Sequence, residues 1–270
     1  SNDLLDMAAR VFLAPGRSTV FSQHAFAVYP LASLSVGAAL IAVPAKDFGH
    51  DLDAMRAAVR PDTRLIWIAN PNNPTGTFIP YPQLKAFMQS VPADVVVVLD
   101  EAYNEYLPRE VRADSKEWLA EFPNLIITRT FSKIYGLAGL RIGYALTSAG
   151  IADLMNRVRQ PFNCNNLALA AATAALDDGE FVARSQALNS AGMEQLTEGF
   201  RRFGFDFIPS YGNFVVFRAG DAASVNEKLL KQGVIVRPIA GYGMPEWLRV
   251  TIGTEAENRR FLEALEKTRA

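Results

Sequence analysis

Apolar residues along this chain fall into two rhythms, and the rhythms alternate. Leu4, Leu5, Met7, Ala8, Val11 and Phe12 recur at helical spacing behind Ser1-Asn2-Asp3, which predicts a capped helix start with an acidic first turn. Val20-Phe21 reads as a short strand, the stretch from about Phe26 to Val36 as a loop and helix, and Leu40 to Val43 as a strand closed by Pro44. Asp51 is placed to cap a helix over Leu52 to Val59. Arg64 to Ala69 is the next strand, and it runs into Asn70-Pro71-Asn72-Asn73-Pro74-Thr75-Gly76, a composition that only a loop tolerates. A helix over about Tyr81 to Gln89 leads to Val95-Val96-Val97-Val98-Leu99, and Leu125-Ile126-Ile127 is a further buried strand.

Continuous β-branched runs separated by helices predict a mostly parallel sheet covered on both faces, a three-layer α/β arrangement. From about Gly150 helical runs dominate: Ile151 to Arg159, Leu167 to Leu176 and a long segment from Glu180 to Phe203. Short strands are then expected at Phe205 to Ile208, Phe214 to Phe217, Val234 to Val236 and Leu248 to Ile252, interleaved with helices over Ala222 to Lys231 and Glu255 to Lys267. This pattern divides the chain into a large domain, residues 1–178, and a smaller C-terminal α/β domain, residues 179–270.

Composition narrows the classes. Half of the 270 residues are hydrophobic, enough for one large core or two. The net charge of −1 comes without runs of like charge, so neither nucleic acid nor an anionic membrane is an expected partner. Cys164 is the only cysteine, which excludes an internal disulfide and suits a reducing compartment. No stretch approaches the roughly 20 apolar residues of a membrane span. A soluble, cytoplasmic protein with no metal is expected.

In parallel sheets, ligands bind beyond the carboxyl ends of the strands. Three successive strands deliver Asn73, then Asp100 with Tyr103, then Thr130, Ser132 and Lys133 to that edge. A lysine at the end of a core strand is unusual, because lysine is rarely buried without a partner. Held desolvated, its amine can condense with a carbonyl as a Schiff base. A pyridoxal phosphate partner would need a carboxylate against its pyridine nitrogen, and Asp100 is suitably placed; a helix-capping aspartate would read the same way. Asn73 and Tyr103 could donate to the phenolic oxygen. Thr130, Ser132, Arg141 and the helix start at Ser1-Asn2 could hold the phosphate, although Ser1 also reads as an ordinary cap. Phe26 could lie on the ring, or simply fill core.

Asn73-Pro74-Thr75-Gly76, Asp100-Glu101-Ala102-Tyr103, and Ser132-Lys133 with Arg141 eight residues later resemble the fold-type I pyridoxal-phosphate aminotransferases. The order is most similar to the histidinol-phosphate aminotransferase branch, as are Gly212-Asn213-Phe214, Val236-Arg237-Pro238 and Leu248 to Gly253. The resemblance covers essentially the whole chain and implies the aspartate aminotransferase-like fold. It gives Lys133 the Schiff base and the later proton transfer, and Asp100 the pyridine nitrogen. It gives Asn73 and Tyr103 the phenolic oxygen, Thr130, Ser132 and Arg141 the phosphate, and Phe26 the ring face. Arg249 matches an arginine for the substrate carboxylate or another substrate anion. Arg237 matches one linked with substrate phosphate, and surface arginine is the plainer alternative for both.

The implied reaction is a ping-pong exchange between histidinol phosphate with 2-oxoglutarate and imidazole-acetol phosphate with glutamate. Aromatic amino acids, decarboxylation of a phosphorylated amino acid and a non-catalytic pyridoxal-phosphate-binding module are the alternatives. A homodimer with sites at its interface is implied too. So is a region ahead of Ser1, with an arm over the substrate and a tyrosine reaching the partner's phosphate. Tyr29, Tyr135 and His24 read as structural.

Overall fold

A computed structural model describes residues 1–269. Six strands form the first sheet: β1 (Ser18–Ser22), β2 (Ala39–Val43), β3 (Thr63–Ala69), β4 (Val96–Asp100), β5 (Leu125–Thr130) and β6 (Gly143–Thr147). Their spatial order is β2-β1-β3-β4-β5-β6. All neighbours pair in parallel except β6, which runs antiparallel to β5 at one edge. The helices of this part are α1 (Asn2–Phe12), α2 (Val28–Ser35), α3 (Leu52–Ala57), α4 (Tyr81–Ser90) and α5 (Ala149–Val158).

The central strands carry unbroken apolar runs, Leu65 to Ala69, Val96 to Leu99 and Leu125 to Ile127, because both faces are covered. Ile66 and Ile68 of β3, Val97 and Leu99 of β4 and Leu125 and Ile127 of β5 share one core with Met55, Leu84 and Phe87 from α3 and α4. Their alternate neighbours Leu65, Trp67, Val96, Val98 and Ile126 share another with Leu5, Tyr29 and Met155 from α1, α2 and α5. The period of two therefore aims Asp100, last in β4, at the face carrying α1 and α2, and turns Glu101 to the opposite one.

α6 (Asn166–Asp177) and the 25-residue α7 (Gly179–Phe203) follow. Asn165 and Asp178 cap them by accepting from the Ala168 and Phe181 amides, and Gly204, at φ +72°, ends α7. The second sheet is antiparallel, with β7 (Phe207–Ile208), β8 (Phe214–Arg218), β9 (Arg237–Pro238) and β10 (Trp247–Thr251) in the order β7-β8-β10-β9. It packs with α7, α8 (Ala222–Lys231) and α9 (Glu255–Lys267) around Phe200, Val215, Phe217, Leu248 and Phe261. Thr254 and Glu257 form a complete capping box that starts α9 at the predicted residue.

One expected strand is displaced. Val234 to Val236 lies outside any strand, and pairing begins only at Arg237. The Val234 amide donates to the Leu229 carbonyl as α8 ends, with Gly233 at φ +74°, so it is spent on the helix terminus instead of a ladder. Among the described residues, no helix is long and apolar enough to cross a membrane.

Candidate active site

The carboxyl ends of β3, β4 and β5 open together into a cavity of about 150 Å³. Ten residues singled out by sequence line it: Ser1, Asn2, Phe26, Asn73, Asp100, Tyr103, Thr130, Ser132, Lys133 and Arg141. Tyr29, Ala69, Pro71 and Ala102 complete the lining. A larger cleft of about 940 Å³, between α4 and β7, is lined by none of those ten.

Lys133 lies three residues beyond β5, its Nζ 5.2 Å from the centre of the Tyr103 ring. Burial holds its pKa below the ordinary lysine value, Arg249 and Arg141 push the same way, and Asp100 opposes them. The neutral amine is thus accessible at lower pH than on a solvated lysine. Tyr103 is itself buried and meets Phe214 edge-on at 5.3 Å. Burial raises its phenol well above the usual value, so the hydroxyl keeps its proton and remains a donor.

Asp100 is buried at the end of β4. Tyr29 Oη donates to Oδ2 at 2.8 Å and Thr128 Oγ1 to Oδ1 at 3.1 Å. Burial pushes the carboxyl pKa up, and these two donors pull it back down. Glu101, fully buried on the other face, pairs with Arg129 through Nε at 2.9 Å and Nη2 at 2.8 Å. That pair ties the ends of β4 and β5 together immediately beside Asp100 and Thr130.

In the same cavity, Thr130 Oγ1 accepts the Ser132 amide at 3.1 Å. Arg141 stands close by in the left-handed region, at φ 56°, an uncommon conformation for a residue with a side chain. The first turn of α1, whose N-cap Ser1 makes no side-chain cap, presents N–H groups beside them. Hydroxyls, a guanidinium and a helix start lining one cavity are an anion receptor. The same cavity holds a carboxylate and an amine, and Phe26, Ala69 and Pro71 supply apolar walls. This donor set fits a flat, phosphorylated heteroaromatic aldehyde.

Arg249 reaches the cavity rim from β10. Its Nη1 donates to Asn73 Oδ1 at 2.5 Å, and its guanidinium lies 4.8 Å from the Phe214 ring centre. Arg237 stands directly opposite Arg249 in the β9–β10 pair, one strand further out and exposed. The loop carrying Asn73 meets the second sheet closely: a Cβ on Gly76, at φ +79°, would lie 2.1 Å from Ser210 Oγ, while the Gly76 carbonyl accepts the Tyr211 amide at 2.8 Å. Only glycine fits there.

Tyr29, structural by its sequence context, lines the cavity and donates to Asp100. No local signal marks it: Phe26 precedes α2, so the spacing of three between the two residues is not a shared helix face. Phe214 lies against both Arg249 and Tyr103, a role that its place in Gly212-Asn213-Phe214 does not reveal. Tyr135 packs on Phe131 at 5.0 Å, and His24 Nδ1 lies 2.7 Å from the Tyr242 carbonyl oxygen, joining a loop of the first sheet to one of the second.

Comparison with known proteins gives a consistent result. The family profile described as "Aminotransferase class I and II" matches residues 1–265. "Histidinol-phosphate aminotransferase 1" of Dechloromonas aromatica is 73% identical over 267 residues, covering 99% of this chain and 74% of that protein. The protein of the same name from Thiobacillus denitrificans is 62% identical over 265 residues, covering 98% and 69%. The crystal structure of histidinol-phosphate aminotransferase from Sinorhizobium meliloti in complex with pyridoxal-5'-phosphate matches with a TM-score of 0.92 at 32% identity, over 98% of this chain and 73% of that one.

Proposed function

This chain belongs to the class I and II aminotransferases, and from that membership we propose that it is a pyridoxal-phosphate-dependent transaminase of histidine biosynthesis. It exchanges the amino group between histidinol phosphate with 2-oxoglutarate and imidazole-acetol phosphate with glutamate. The observation that carries the reading is a partly desolvated lysine amine that shares one cavity at the sheet edge with a buried carboxylate and an anion receptor. The aminotransferase names of both relatives do not favour the decarboxylase or non-catalytic alternatives.

When bound, pyridoxal phosphate supplies an electron sink conjugated to the carbon that exchanges the amino group. Lys133 Nζ would be the amine that holds its aldehyde carbon, with the aldehyde oxygen leaving as water, and the base that would move a proton from the substrate α-carbon. Asp100 would face the pyridine nitrogen and favour its protonated form. Asn73 Nδ2 and Tyr103 Oη would donate to the phenolic oxygen. Thr130, Ser132, Arg141 and the first turn of α1 at Ser1-Asn2 would hold the phosphate, and Phe26 would cover the ring. Arg249 takes the substrate's anionic group, and Arg237 takes its phosphate. Like charges directly opposite across a strand pair are unfavourable alone, and an anion between them reverses the sign.

Separate cores support a division into residues 1–178 and 179–270, because the apolar clusters on the two faces of the first sheet and the one on the second draw on separate parts of the chain. Phe162 is 97% and Leu167 76% exposed, and we propose that a second copy of the chain covers them, as a homodimer with its sites at the interface. Sedimentation at the mass of a single chain would contradict that. A cytoplasmic setting, proposed from the single cysteine, is tested by cell fractionation.

The substrate is tested by amino transfer. Glutamate should form from 2-oxoglutarate when histidinol phosphate is the donor, with kcat/KM at least about tenfold above that for phenylalanine, a difference of about 1.4 kcal/mol. Release of carbon dioxide, or equal rates with both donors, would overturn the assignment.

A further inference from the structure

We propose that Tyr29 is the positioning residue that holds Asp100 as an oriented carboxylate. The inference rests on Asp100 facing the cofactor's ring nitrogen, as proposed above. Tyr29 is fully buried, and its hydroxyl donates to Asp100 Oδ2 at 2.8 Å across 71 residues of sequence. The phenol is fixed from several sides. Its ring stacks on Trp67, with centroids 5.0 Å apart and planes 2° from parallel, and its own carbonyl accepts the Ser33 hydroxyl at 2.7 Å. Trp67 Nε1 in turn donates to Ser33 Oγ at 3.3 Å, which closes a ring of contacts between α2 and β3.

This scaffold does two things at once. It holds a hydrogen-bond donor at one carboxylate oxygen while Thr128 occupies the other, so the Asp100 side chain has one orientation. It also sets the edge of Tyr29 against Phe26 at 5.8 Å and 88°, so the ring-facing wall and the nitrogen-facing carboxylate share one support. Buried carboxylates drift toward the neutral acid unless donors stabilise their charge. Burial and the neighbouring Asp100 charge raise the Tyr29 phenol well above its ordinary pKa, so the donor persists across the working pH range. A neutral Asp100 could not keep the ring nitrogen protonated, so the hydrogen bond from Tyr29 acts on the reaction through Asp100 alone.

A double-mutant cycle on the intact protein tests this, with the dissociation constant of pyridoxal phosphate as the readout, taken from quenching of tryptophan fluorescence. Tyr29→Phe, which removes only the hydroxyl, should weaken binding about tenfold, the size of a hydrogen bond to a buried charge. In an Asp100→Asn background the same change should matter less than about twofold, because the charge it serves has gone. Thr128→Val gives a second arm that leaves the Tyr29–Trp67 stack intact, and it should show the same dependence on Asp100. Equal weakening by Tyr29→Phe in both backgrounds would reduce Tyr29 to packing and overturn the proposal. Unaltered binding by Asp100→Asn alone would instead remove the role of Asp100, and the inference with it.

Discussion

Arg249 and Asn73, 176 residues apart, are joined by a hydrogen bond of 2.5 Å from the guanidinium to the amide oxygen. With Oδ1 taken by Arg249, the Asn73 amide has its Nδ2 donor left for the cavity, where the phenolic oxygen of the cofactor is proposed to lie. One arginine of the second sheet thus orients a group beside the first.

Removing Arg249 therefore strikes both ends. Arg249→Ala is expected to lower kcat/KM for histidinol phosphate by roughly 30- to 1,000-fold, the usual range of about 2–4 kcal/mol for truncating one member of a buried charged contact. Arg249→Lys keeps the charge but loses the planar fork, and should recover only part. Steady-state kinetics with both variants decides it; a change under threefold in Arg249→Ala would remove Arg249 from the site.

The Lys133 amine should show its environment through pH. Burial, Arg249 and Arg141 lower its pKa, so trapping of pyridoxal phosphate by borohydride at Lys133 should rise with pH through a midpoint below the ordinary 10.5. Taking away a neighbouring cation in Arg249→Ala favours the protonated amine and should move the midpoint up. Removing the anion in Asp100→Asn should move it down. Mass spectrometry of the trapped peptide reports all three, and shifts of opposite sign would refute this electrostatic account.

Much of this was legible in the chain. The buried strands announce themselves as unbroken apolar runs, and each run ends in the residue that matters: Asn73 after β3, Asp100 at the end of β4, Lys133 after β5. What stayed hidden depends on how separate elements are laid over one another. Tyr29 finds Asp100 only once α2 lies across the end of β4, and nothing local marks that meeting. The apolar stretch Val234 to Val236 reads as a strand by composition, but the Val234 amide is already committed to the end of α8. Glu101 sits beside Asp100 in sequence and on the other side of the sheet in space, paired with Arg129.

That pair yields a prediction about stability. Glu101 is fully buried and the Arg129 side chain nearly so, so Glu101→Ala leaves a buried cation unpaired. It should cost about 3–5 kcal/mol and lower Tm by roughly 10 °C. Replacing both residues with Leu or Met should restore most of the loss. Thermal unfolding of the single and double variants checks this; a single variant as stable as the parent would mean the pair holds nothing.

Lys133 is proposed to anchor pyridoxal phosphate in the cavity at the sheet edge. Its most direct test is the absorbance spectrum after adding pyridoxal phosphate to the protein and to Lys133→Ala. A yellow band that forms with the parent, bleaches on adding histidinol phosphate and is lost in the variant is the predicted result. A folded parent protein with no Lys133-dependent band would contradict it.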